Sequence, residues 1–222
     1  MSRVLDRIAD TGGALYVVLA SVGYLVFVAP TVPQSLTSPG RVLAQLRDHP
    51  PGTAFWVGVA LESLGLVCLL LFAARLAGRI RLAQPAGWMA GAVLGLAIAS
   101  MAVKFASFAP ALAALHDARY DASTVTALID SNDISDVISN ALDGGFALLT
   151  GVAALATRAL PRWLGAAGVV AGLAILLGVA VPGLFDSLQM LLFLWLVTTS
   201  VWLLARGSRR PVEAAVPVPA AV

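Results

Sequence analysis

Four ionisable side chains fall within or at the edge of long apolar runs: Glu62, Lys104, Asp143 and Asp186. A charge held inside hydrocarbon costs about 2.5–3.5 kcal/mol on insertion scales, so each needs a chemical or structural reason to be there. A carboxyl in apolar surroundings favours its neutral, proton-donating form. Glu62, nine residues into its run and so about 13 Å deep, reads as a proton carrier or general acid. Its structural alternative is a buried pair, or a neutral carboxyl hydrogen-bonded to another helix. Ala54, Gly58 and Gly65 share its helical face and leave room for a neighbouring helix, so Glu62 is expected to point into the interior.

Lys104, with Ser100 and Ser107 on its face, is the expected partner of Glu62. The two runs cross in opposite directions and side chains lean toward the amino end of their own helix, so the pair converges. Pairing would let each charge stay where neither could stay alone. Asp143 extends a polar stripe of Asp133, Asp136 and Asn140, at spacings of three, four and three, that continues as Ala147, Thr150 and Ala154. The stripe reads either as the lining of a water-accessible cavity or as the solvated start of a helix capped by Asp133. Asp186, three residues before Gln189, fits a capping box. Its chemical alternative is to stabilise positive charge on an apolar substrate.

Asp130, Asp133 and Asp136 stand at steps of three without a glycine-bearing ligand loop, and His116 beside Asp117 has no histidine or cysteine partner at ligand spacing. No metal is expected. Phosphate-binding glycine loops, nucleophile elbows and paired-histidine haem arrangements are absent from the sequence, so no cofactor is expected either.

The elements that must carry these residues follow from composition. Of 222 residues, 59% are hydrophobic and 12% charged, against about 45–50% and about 25% in soluble domains. With a mean hydropathy of +0.91, a soluble globular enzyme and a disordered chain are both excluded. The lone Cys68 excludes a disulfide scaffold, and basic residues without interleaved aromatics argue against a nucleic-acid partner. Six apolar runs, roughly 13–29, 53–74, 86–108, 138–157, 163–181 and 188–205, approach the roughly 20 residues that cross a bilayer. They lack period-two alternation, so the expected fold is all-α: a polytopic membrane protein with six transmembrane helices in one bundle over residues 1–205. Residues 206–222 read as a disordered cytoplasmic tail. The first run is expected to be retained rather than cleaved, because Asp6 and Asp10 precede it and Pro30 and Pro33 follow. Gly87, Gly91 and Gly95 form a small-residue stripe expected to pack closely and to place the third helix at the bundle centre.

Ten Arg residues flank the runs on one side, whereas only Arg41, Arg47 and Arg119 lie on the other. Both termini are therefore expected in the cytoplasm. Of the outer loops, 109–137 is acidic, and the segment from Ser38 through Val42, Leu43 and Leu46 is expected to form a short helix on the membrane surface.

The segment Leu160-Pro161-Arg162-Trp163-Leu164-Gly165 with Gly168 and Gly172, the segment 121–128 from Asp121, and Ser38-Pro39 leading into Leu43 carry a family likeness. With these segments the chain resembles small six-helix integral membrane proteins of high-G+C bacteria, a family left as a domain of unknown function. The resemblance spans about residues 12–205. It implies a six-span fold and a bacterial inner-membrane location, and it transfers no catalytic residue.

Three functions stand open on the sequence. The first is a non-enzymatic accessory or interaction protein in which the buried charges serve packing. The second is a small proton-coupled carrier using Glu62, Lys104 and Asp143. The third is an intramembrane acid-catalysed cyclase or isomerase on a polyprenyl-like substrate, with Glu62 as acid and Asp143 or Asp186 stabilising positive charge. Expected partners are the lipid bilayer and an apolar small molecule or another membrane protein.

Overall fold

The computed structural model describes residues 2–31, 44, 48, 50–84, 87–116, 120–181 and 185–207. The surface helix expected after Ser38, apart from Ala44 and Asp48, and the tail beyond residue 207 lie outside these residues. Six helices account for nearly all of them: α1 (Ser2–Val22), α2 (Thr53–Ala83), α3 (Met89–His116), α4 (Ala122–Thr157), α5 (Arg162–Ala180) and α6 (Phe185–Gly207). α1 runs on as a wider π-helical segment, Gly23–Val28. All six are long and apolar enough to cross a membrane.

Each helix packs on its neighbour in sequence, α1 also packs on α6, and α2 touches α4 across the ring. Helices consecutive in the chain pack antiparallel. Gly12 lies against Cys68 and Gly23 against Gly58 between α1 and α2, and Gly144 faces Gly172 and Gly151 faces Gly165 between α4 and α5. Lipid removes the hydrophobic drive for helices to associate, so close backbone approach at small residues supplies the attraction instead. At Gly151 an added Cβ would sit 2.6 Å from the Gly165 carbonyl oxygen, which is why no larger residue fits. The interior is filled by Phe72, Phe146, Leu164, Ile175 and Leu196, all fully buried.

Two expectations are corrected. The acidic outer segment is helical rather than a loop: α4 has 36 residues, about 54 Å, and overshoots a core of about 30 Å. Its first turns pair with the end of α3 through Ala114, Val125 and Ile129. The amino cap of α4 is accordingly Asp121, not Asp133. Its carboxylate accepts from the Ser123 hydroxyl at 2.6 Å and the Thr124 N–H at 2.7 Å, and these bonds hold it below the usual aspartate range. His116, expected in a loop, ends α3.

The glycine stripe of α3 is the second correction. Among the described residues, Cβ atoms added at Gly91 and Gly95 would meet nothing within 4 Å, and α3 makes its main contacts with α2 and α4. This stripe faces away from the bundle, so α3 is a member of the ring rather than its centre.

Candidate functional site

Antiparallel register between α3 and α4 brings the polar residues of the two helices together in two tiers. In the deeper tier the Ser100 hydroxyl lies 2.6 Å from Asp143 Oδ1 and 3.1 Å from the Ser139 hydroxyl. Asp143 is 5% exposed, Ser100 1% and Ser139 3%. Ser100 has a single proton to give, and its shortest contact is the one to the carboxylate. In the outer tier Lys104 Nζ donates to Asp136 Oδ1 at 2.7 Å, with about a quarter and a third of the two side chains exposed. Ser107 closes this tier, donating to the Lys104 carbonyl at 2.7 Å. Asn140 stands between the tiers, partly buried.

Glu62 stands apart. The expected ion pair with Lys104 does not form, because the overshooting α4 brings Asp136 within reach of the ammonium first. Reasoning from the two apolar runs alone omitted the third helix. Glu62 Oε1 is buried and has no hydrogen-bond partner among the described residues. The expectation that its face admits a neighbouring helix holds, and the neighbour is α1: Gly58 and Glu62 pack against Gly23, where the π-helical segment begins. Such segments often mark functional positions in helices. The polar side chains of α2 to α4 thus stand in two places, Glu62 at the contact with α1 and the Ser100–Asp143 and Lys104–Asp136 tiers between α3 and α4.

Asp186 lies at the start of α6. α6 begins at Phe185, so Asp186 is the second helical residue rather than the residue before the helix, and its side chain lies outside the described residues. Among the described residues no group of three or more His, Cys, Asp or Glu side chains could hold a metal ion.

Sequence reasoning missed one ionic cluster at the basic end of the bundle. Arg75, one of the ten Arg residues flanking the runs, lies within α2 and donates to Asp10 at 2.8 Å and to Asp6 at 3.0 Å. Asp10 is 3% exposed. The available signal was the i, i+4 spacing of Asp6 and Asp10, which puts both on one face of α1. Beside this cluster, Arg79 and Arg206 lie over the Trp202 ring, at 5.5 and 4.7 Å from its centroid.

A ring of six apolar, bilayer-length helices defines an all-α, multi-pass membrane protein. Within that class the chain belongs to the family described as Domain of unknown function (DUF4386), which matches residues 11–207. No curated protein and no solved structure matches the chain.

Proposed function

We propose that the protein is a non-enzymatic accessory or interaction protein of the cell membrane, with both termini in the cytoplasm. The enclosure of Asp143 carries this reading. A carboxylate on a catalytic or transport path needs a route for water or substrate. Asp143 instead accepts from the Ser100 hydroxyl inside a helix–helix contact. Lys104 and Asp136 likewise form an ion pair between the same two helices. The polar residues of α3 and α4 serve as pins that fix their register. The bias of Arg residues toward one end supports the orientation.

One observation favours a second reading. The unpartnered buried oxygen of Glu62 suits a proton-coupled carrier in which Glu62 takes up the proton. Single cysteines along Asp136, Asn140 and Asp143, in a chain with Cys68 replaced, separate the two. A small water-soluble thiol reagent added from outside is expected to label position 136 and to leave 143 unlabelled. Labelling at 143 would overturn the accessory reading in favour of the carrier. Reporter fusions after Ser107 and Arg206 check the orientation: activity of a periplasm-only reporter at Arg206 would refute it.

A further inference from the structure

The helices α5 and α6 do not close on each other over their whole length. Between them lies an apolar groove of about 230 Å³, lined by Trp163, Ala167 and Val170 of α5 and by Leu191, Leu194 and Trp195 of α6. Two of its polar side chains give their protons to helix backbone: the Trp195 indole N–H donates to the Leu164 carbonyl at 3.1 Å, and the hydroxyl of Thr198, which also lines the groove, donates to the Leu194 carbonyl at 2.7 Å. From Trp163 to Val170 it runs about 10 Å along α5, most of the depth of one leaflet.

The end of the groove is different in character. Trp163, 57% exposed, stands at its mouth at the start of α5. Arg162 adjoins it, and Arg158 lies in the same short turn between α4 and α5. Arg75 is neutralised by Asp6 and Asp10, and Arg206 lies against Trp202. Arg158 and Arg162 have no ion-pair partner among the described residues. Two guanidinium groups without an ion-pair partner among the described residues, and an indole at the start of α5, beside an apolar groove about 10 Å long, are complementary to one kind of molecule. The guanidinium fork matches a phosphate, and tryptophan favours the membrane–water interface.

We propose that the α5–α6 groove seats an acyl chain of an anionic phospholipid whose headgroup is held by Arg158 and Arg162. The site is independent of the polar side chains of α2 to α4. Native mass spectrometry of the purified full chain, titrated separately with phosphatidylglycerol and phosphatidylethanolamine, tests it. The unaltered protein is expected to retain phosphatidylglycerol more tightly. At about 1 kcal/mol per arginine near the surface, Arg158→Gln and Arg162→Gln should each weaken phosphatidylglycerol about fivefold and phosphatidylethanolamine less, because its ammonium already offsets the phosphate charge. Ala167→Phe, which fills the groove, should weaken both lipids. Thr198→Phe fills it from α6 and serves as the second variant if Ala167→Phe does not fold. Equal retention of the two lipids by the unaltered protein would overturn the headgroup assignment. Undiminished lipid binding in a folded, groove-filled variant would show annular lipid only and overturn the site.

Discussion

The ion pair between Lys104 and Asp136 can be tested against the alternative pairing with Glu62 in one set of double-mutant cycles. Exposed ion pairs contribute about 0–1 kcal/mol, whereas removing one partner of a buried pair costs about 3–5 kcal/mol. Here the side chains are 25% and 33% exposed, so the pair lies between these limits. Lys104→Met, which strands Asp136, and Asp136→Asn, which strands Lys104, should each destabilise the protein by about 1–3 kcal/mol. The double variant strands neither charge and should lose less than the sum of the two, leaving a coupling of about 1 kcal/mol or more. The parallel cycle of Lys104→Met with Glu62→Gln should show a smaller coupling, because no bond joins those residues. Reversible unfolding in mixed micelles, followed by circular dichroism, measures all six proteins under one condition. Losses that add within about 0.5 kcal/mol for Lys104 and Asp136 would refute the pair. A larger coupling to Glu62 would show that the ammonium turns toward α2 instead.

The glycines of the bundle should divide by sign. Gly91→Ala and Gly95→Ala meet no neighbour and should stabilise the protein by about 0.5–1 kcal/mol through reduced chain entropy, whereas Gly151→Ala and Gly172→Ala should destabilise it; thermal unfolding decides, and a loss of stability at Gly95 would show that its face is occupied. The Asp121 cap carries a pH dependence. Its carboxylate is held below the usual aspartate range, so its stabilising contribution is full above about pH 3.9 and is lost as pH falls through the folded value. Hydrogen exchange at the Thr124 amide, corrected for intrinsic rate, should therefore quicken only in acid, and at neutral pH only in Asp121→Ala; unchanged protection in that variant would sink the assignment.

Much of the architecture was legible because a bilayer reduces the problem to length and polarity. Each of the six runs became a helix, but the ends moved outward wherever a helix left the hydrocarbon. Residues 122–137 of α4 are polar enough to read as a loop, yet they hold their helix by packing on α3 through Val125 and Ile129. That extension decided the partner of Lys104, so one misplaced boundary became one wrong pairing. The two small-residue faces show the other limit. Gly58 and Gly65 admit α1, while Gly91 and Gly95, in the stronger motif, touch nothing. Spacing states that an approach is possible; which helix arrives depends on where the ring closes. Asp10 and Arg75, 65 residues apart, were invisible as a pair because only the meeting of α1 and α2 joins them.

The closed ring also dictates an order of assembly. Five of its six interfaces join helices consecutive in the chain and can form as each new span emerges. The sixth, where the backbone N–H of Ala14 meets the Ser200 hydroxyl, joins residues 186 apart. At about 5–20 residues per second of synthesis, the first helix waits roughly 10–40 s for the last. Throughout that interval its Gly13 face must be shielded by lipid or by a chaperone of the insertion machinery. The Arg75 bridges to Asp6 and Asp10 need only the second helix, so they are in place long before the ring shuts. An early ionic clasp therefore keeps the amino-terminal hairpin in register until its final partner is made.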